Sequence, residues 1–186
     1  MGLTPSQTAG PFFALGLIDA RWEVEIDPAT PGRRIRIEGR VLDGDGAPVI
    51  DALVESWQAD ASGIYRHPRT MMDHALPNDG FTGFARVATD AEGRFTWKTI
   101  MPGPVGEPDG GRHAPHIDLG IFASGLLNRL HTRLYFPEEA LNARDPVLAV
   151  VPPERRGTLI AAPIGVDRYG FDIRLRGVGE TVFFLC

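Results

Sequence analysis

The chain has a single cysteine, Cys186, and it is the last residue. One thiol can neither close an intrachain disulfide nor build a cysteine-based zinc cluster, so the sequence fits a reducing compartment and a cytoplasmic location. Long apolar runs are missing as well. Nothing approaches the ~18 apolar residues of a membrane helix, and the N-terminus lacks the charged-then-apolar order of a secretory signal. Met1-Gly2-Leu3-Thr4-Pro5-Ser6 fits the loose myristoylation pattern, but no basic stretch follows to supply a second anchor. Clusters of Lys and Arg are also absent, and the net charge is -5. With no aromatic residues interleaved among basic ones, this excludes a nucleic-acid platform and an anionic membrane surface. There is no internal repeat, no low-complexity segment and no Gly-rich phosphate or dinucleotide loop.

What remains is the composition of an ordinary globular protein, 43% hydrophobic and 23% charged over 186 residues. That length fits one domain able to bury roughly 70% of its unfolded surface. Residues 1–33 carry Pro5, Pro11, Pro28 and Pro31 and show no sustained period. They are expected to form an extended N-terminal arm, because Pro fixes its own φ and keeps its predecessor out of the helical region. Phe12, Phe13, Leu15, Leu17, Ile18 and Trp22 make this arm too apolar to hang free, so it must lie on its own core or on another chain.

Residues 34–186 carry short β-type segments separated by turn signals. Alternating residues predict strands over 34–42, 50–58, 84–89, 94–100, 116–122, 131–136, 169–175 and 181–185, with turns at Asp43-Gly44-Asp45-Gly46 and Asp90-Ala91-Glu92-Gly93. This spacing predicts an all-β fold, a β-sandwich with short helical segments. One helical segment is expected over 137–143, where Pro137 opens the run and Glu138 and Glu139 sit in the first turn. A second short turn is expected near Arg155-Arg156-Gly157.

The stretch around which the chain is organised runs from residue 99 to residue 122. In its last part Ile117, Leu119 and Ile121 alternate with His116, Asp118 and Gly120, so a strand places His116 and Asp118 on the face opposite the aliphatic side chains. Most His-X-Asp pairs of this kind are surface or hydrogen-bonded structural residues. Two metal chemistries are compatible with the residue types. His116 and Asp118 with the downstream His131 could form a two-His-one-carboxylate iron(II) triad, and Tyr65 with His116 offers the hard anionic oxygen and imidazole that suit ferric iron. His67, His74 and His113 complete the histidine inventory.

Seven blocks in order along nearly the whole chain carry a resemblance. They are Thr4-Pro5-Ser6-Gln7-Thr8-Ala9-Gly10-Pro11-Phe12, Trp57-Gln58-Ala59-Asp60-Ala61-Ser62-Gly63, Gly80-Phe81-Thr82-Gly83-Phe84-Ala85-Arg86, Pro102-Gly103-Pro104, Ala114-Pro115-His116-Ile117, Thr132-Arg133-Leu134-Tyr135-Phe136 and Tyr169-Gly170-Phe171-Asp172-Ile173. Together they resemble the intradiol ring-cleaving dioxygenases, a β-sandwich family whose iron-bearing chains hold Fe(III) with two tyrosines and two histidines. The resemblance places the four ligand positions at Tyr65, Val105, His116 and Asp118. Two of the four donor types are therefore replaced, and His113 stands where the pattern has arginine.

The pattern is similar to the α chain of the heteromeric members. This implies no metal or cofactor in this chain and Fe(III) in a homologous iron-bearing β chain, its partner in an αβ hetero-oligomer. Protocatechuate and O2 would meet at a shared site, opening the ring to 3-carboxy-cis,cis-muconate. Thr8, Gly10, Pro11 and Arg133 match the residues that the α chain contributes to the pocket of its partner. Two other readings stay open at this point: a homomeric intradiol enzyme using Asp118 as a substitute ligand, and a non-catalytic sandwich binding module.

Overall fold

Strand β1 (Arg34–Leu42) is the spine of the first sheet. Its Ile35, Ile37 and Val41 are buried while Arg34, Arg36 and Arg40 face outward, the period-2 pattern of a strand with one face on a core. The computed structural model describes residues 3–10, 12–18, 26–66, 80–108 and 110–185. Within these, β4 (Arg94–Ile100) pairs antiparallel with β1 along its length, from Arg34 opposite Ile100 to Arg40 opposite Arg94. The other edge of β1 takes two short parallel strands, β10 (Arg168–Gly170) and β11 (Ile173–Arg174). Strand β9 (Ala162–Gly165) closes the sheet against β10.

The second sheet is antiparallel throughout, in the order β3 (Phe84–Ala88), β2 (Leu53–Gln58), β7 (His116–Phe122), β8 (Leu130–Tyr135). Its Val54, Ile117, Leu119, Ile121 and Leu134 meet Ile35, Ile37, Phe95 and Trp97 of the first sheet in the main core. This is the expected β-sandwich. A smaller apolar cluster at one end joins Ala114 and Tyr135 to Leu148, Val151 and Leu159. A two-stranded ribbon, β5 (Val105–Gly106) with β6 (Arg112–His113), precedes β7. No helix among the described residues is long and apolar enough to cross a membrane.

Several expectations are corrected. The arm is not extended throughout: Phe12–Leu17 forms a short helix, α1, entered by a turn in which Phe13 N–H donates to Gly10 O. Phe13 packs on Phe122 of β7 with ring centroids 5.3 Å apart, so a tertiary contact decides where propensity was silent. The expected helix over 137–143 is displaced. Ala140–Arg144 is a 3-10 turn, and the α-helix α2 is Pro146–Val150, because Asp145 caps it through Val147 N–H and Leu148 N–H, both 2.9 Å from Oδ1.

The strand expected over 169–175 is broken between β10 and β11. There Asp172 leaves the ladder to accept the Arg40 N–H, and the Phe171 carbonyl presses on Gly39, where a Cβ would lie 2.0 Å from it. No strand forms over 181–185. Phe184 makes only an isolated bridge with His131, and Thr181 Oγ1 is occupied by the Arg174 N–H. Pro11, Trp22, His67 and His74 lie outside the described residues.

Candidate functional site

The outer face of the second sheet carries the polar side chains that its core face excludes. The β7–β8 register sets Asp118 opposite Arg133 and Gly120 opposite His131, and the β2–β7 register adds Trp57 beside Asp118 and Glu55 beside Gly120. Tyr65 arrives from the loop after β2. That loop is docked backbone to backbone on Pro102-Gly103-Pro104: Gly103 N–H donates to Asp60 O at 2.8 Å, and Gly63, at φ 80°, is so close that a Cβ would sit 2.0 Å from Pro104 O. Only glycine suits that conformation and approach. Asp60 Oδ1 receives the Ser62 and Ile64 N–H groups, and Tyr65 then stacks on Trp57, ring planes 10° apart.

Three of the four expected ligand positions converge. Tyr65 Oη lies 3.1 Å from His116 Nε2 and donates to Asp118 Oδ2 at 3.0 Å. Val105 is paired across the β5–β6 ribbon with His113, whose ring lies 5.7 Å from that of His116. His116 Nδ1 faces Ala114 O at 2.7 Å, which fixes the proton there and leaves Nε2 as an acceptor. Burial lowers the His116 pKa from its ordinary value, so the ring is neutral. Burial, with the Asp118 charge adding to it, pushes Tyr65 upward, so it is a phenol rather than a phenolate.

Arg133 completes the cluster. Its Nε donates to Asp118 Oδ1 at 2.8 Å, and Nη1 lies 3.4 Å from His113 Nδ1. Burial opposes the guanidinium charge, but Asp118 and Tyr135 outweigh it and hold the pKa above its ordinary range. His131 Nε2 is 3.5 Å from the same Asp118 oxygen, its Nδ1 is buried with no hydrogen-bond partner among the described residues, and burial lowers its pKa.

These donors do not fit a ferric centre. Val105 offers an alkyl group where the family pattern has phenolate. Both oxygens of Asp118 are already engaged, one by the Tyr65 hydroxyl and the other by the Arg133 guanidinium. The iron(II) triad fares no better: Arg133 stands on the Asp118 oxygen nearest His131. No group of three or more His, Cys, Asp or Glu with a metal-holding arrangement occurs among the described residues.

Thr8 and Gly10, expected at a shared pocket, lie elsewhere on the face. Gly125 N–H, in the turn between β7 and β8, donates to Thr8 Oγ1 at 2.7 Å, and Ser124 Oγ reaches Ala9 O. Thr8, Gly10, Phe13, Phe122, Asn128 and Arg129 are among the residues lining a cleft of about 280 Å³. The arm thus sits at the turn end of the β7–β8 hairpin and Arg133 in the middle of its ladder. Sequence reasoning missed Asp145. Fully buried, it accepts from Tyr135 Oη and the α2 amides on Oδ1 and from Ala114 N–H on Oδ2, so it anchors the chain just ahead of His116. Its signal was present, an Asp directly before a Pro-initiated helix.

A family model described as Dioxygenase matches residues 9–177. The protocatechuate 3,4-dioxygenase alpha chain of Pseudomonas putida is 43% identical over 197 aligned residues, a match covering 97% of this chain and 95% of that one. The chain belongs to the intradiol dioxygenase family. Its relatives include beta chains as well. The protocatechuate 3,4-dioxygenase beta chain of Burkholderia cepacia is 41% identical over a match covering 81% of this chain and 67% of that one. Among solved structures, the dioxygenase fold recurs in 3-chlorocatechol 1,2-dioxygenase from Rhodococcus opacus 1CP, with a TM-score of 0.65 and 26% identity over 92% of this chain and 71% of that one.

Proposed function

We propose that this chain is the α subunit of a protocatechuate 3,4-dioxygenase. It pairs with a homologous β chain that carries Fe(III), and the pair inserts both atoms of O2 into protocatechuate to give 3-carboxy-cis,cis-muconate. The observation that carries the reading is the disabled donor set: a valine at position 105, and an Asp118 carboxylate already neutralised by Arg133 and bonded by the Tyr65 hydroxyl. The likeness to α chains along almost the full length supports it, and the β-chain likeness supplies a partner of the same fold.

In this arrangement the chain holds no reacting metal. It shapes and closes the partner's pocket with the arm, through Thr8, Gly10 and Pro11, and the sequence pattern adds Arg133 to that set. The arm suits this role in two respects. Thr8 to Gly10 is held on the β7–β8 turn by Thr8 Oγ1 and Ala9 O, and nothing lies within 4 Å of where a Cβ on Gly10 would stand, so its backbone is open to a close neighbour. The test is turnover of protocatechuate by the β chain alone and by the β chain with this chain. The pair is expected to turn over and the β chain alone to be strongly impaired; equal activity would sink the proposal.

A further inference from the structure

The outer face of the first sheet gathers cations that are scattered in the sequence. The register sets Arg36 of β1 opposite Lys98 of β4 on one side and opposite Arg168 of β10 on the other. All three are exposed, and because neighbouring strands lie about 4.8 Å apart they form a row about 10 Å long across the sheet. Like charges directly opposite one another weaken a sheet. Arg168 is matched, since Glu38 accepts from its Nε at 2.7 Å and from its Nη2 at 3.0 Å. Arg36 acts on that carboxylate only at longer range, and the side chains of Arg36 and Lys98 have no hydrogen bond or ion pair among the described residues.

Negative charge gathers at one end of the same sheet. The turn after β1, in which Asp43 Oδ1 accepts the Asp45 and Ala47 N–H groups, leads to Pro48, and a Cβ on Gly93 of the turn before β4 would lie 2.8 Å from Pro48 Cβ. Asp45, Asp51, Asp90 and Glu92 are exposed at this end, and Asp45 and Asp51 have no ion pair among the described residues. A strand advances about 3.4 Å per residue, which puts the row and the acidic end roughly 20 to 25 Å apart along β1. Between them Arg40 and Arg94 are matched by Asp172 and Glu92. An open cleft of about 1270 Å³, lined in part by Arg36, Glu38, Lys98 and Ile164, is larger than a small-molecule site and suits a protein surface.

We propose that this face binds a second copy of this chain, the row of Arg36, Lys98 and Arg168 in one copy taking the Asp45 and Asp51 end of the other. Both patches lie along one sheet, so a two-fold pairing matches both at once and closes on itself. The inference rests on the α-subunit reading, in which the arm on the second sheet meets the β chain and the first sheet is turned away from it. Pairs of α and β chains then associate with one another through their α chains.

The test is the mass of the assembled αβ enzyme by sedimentation, with kcat/KM on protocatechuate measured alongside. Wild type is expected to sediment as two or more αβ pairs. Arg36→Glu with Lys98→Glu should at least halve that mass while changing kcat/KM by less than about twofold, because the face lies away from the arm. Arg36→Gln with Lys98→Gln, which removes the charge without reversing it, should shift the mass in the same direction. Adding Asp45→Lys and Asp51→Lys to the Glu variant reverses both patches together and should restore the wild-type mass. Wild type sedimenting as single αβ pairs, a mass unchanged in both row variants, or no recovery in the combined variant would overturn the proposal. Each of those results leaves αβ pairs intact and so keeps the α-subunit reading; absence of any αβ pair with the wild-type chain would retire that reading and this inference with it.

Discussion

Asp118 and Arg133 face each other across the β7–β8 ladder, joined by an Nε–H donated to Oδ1 at 2.8 Å. Both side chains are largely shielded, 16% and 19% exposed. A carboxylate at a family ligand position is thus neutralised by a cation fixed on the neighbouring strand. The Tyr65 hydroxyl takes its other oxygen, which keeps the pocket closed on itself.

Removing the cation should be costly. Arg133→Ala leaves Asp118 shielded and without its counterion, and is expected to lower stability by about 3 kcal/mol, near the low end for a broken buried pair. Adding Asp118→Asn to it should restore a large part of the loss, giving a coupling energy in a double-mutant cycle. Urea unfolding of the four proteins checks this; additive effects would show that the pair is not coupled.

Acid should destabilise the chain in a definite window. Burial keeps His116 and His131 below their ordinary value of 6.5 in the fold. The groups facing them are Tyr65, His113, Asp118, Arg129, Arg133 and Tyr135. As pH falls below about 7 the unfolded chain therefore takes up protons that the native rings do not, so stability drops as pH falls through the unfolded value toward the lowered native ones. The slope is at most about 1.4 kcal/mol per pH unit for each such proton. Urea midpoints measured from about pH 8 to 5.5 should fall, and less so in His116→Gln. A flat profile in the wild type would contradict the neutral rings.

Asp145 should be among the most sensitive positions. Its substitution by Ala strands the Tyr135 hydroxyl and the amides of Ala114, Val147 and Leu148, and is expected to cost about 3 to 5 kcal/mol. Thermal unfolding of Asp145→Ala against wild type measures it. A loss under about 1 kcal/mol would mean that water or rearrangement satisfies these groups.

Residues 1–10 are expected to contribute little to the chain's own stability. Thr8→Ala removes one exposed hydrogen bond from Gly125 N–H, worth about 1 kcal/mol or less. Deleting residues 1–10 should therefore leave the unfolding midpoint of the chain nearly unchanged while weakening association with the β chain and lowering turnover. Sedimentation of the mixed chains reads the first effect, and unchanged association with unchanged turnover would confine the arm to a local cover.

Where one face of a strand is buried, alternation alone located it: β1, β4 and β7 begin and end where the pattern of Ile, Trp and Phe positions places them. The convergence of Tyr65, His116 and Asp118 was legible only as a resemblance, since it depends on Gly63 meeting Pro104 across some forty residues of sequence. The pairing of Arg133 with Asp118 is a register fact, and register is set by the whole sheet rather than by either segment. Helix α1 left no local signal, and the contact that accompanies it, Phe13 on Phe122, joins segments more than a hundred residues apart.

The absence of a ferric site in this chain is tested most directly by iron content. Tyr65→Phe should be introduced into the chain of the purified αβ enzyme and metal analysis combined with the visible tyrosinate-to-iron band. A single iron per αβ pair, with the band unchanged by the substitution, is the expected result. Two irons per pair in the wild type, or loss of iron and band with Tyr65→Phe, would contradict it.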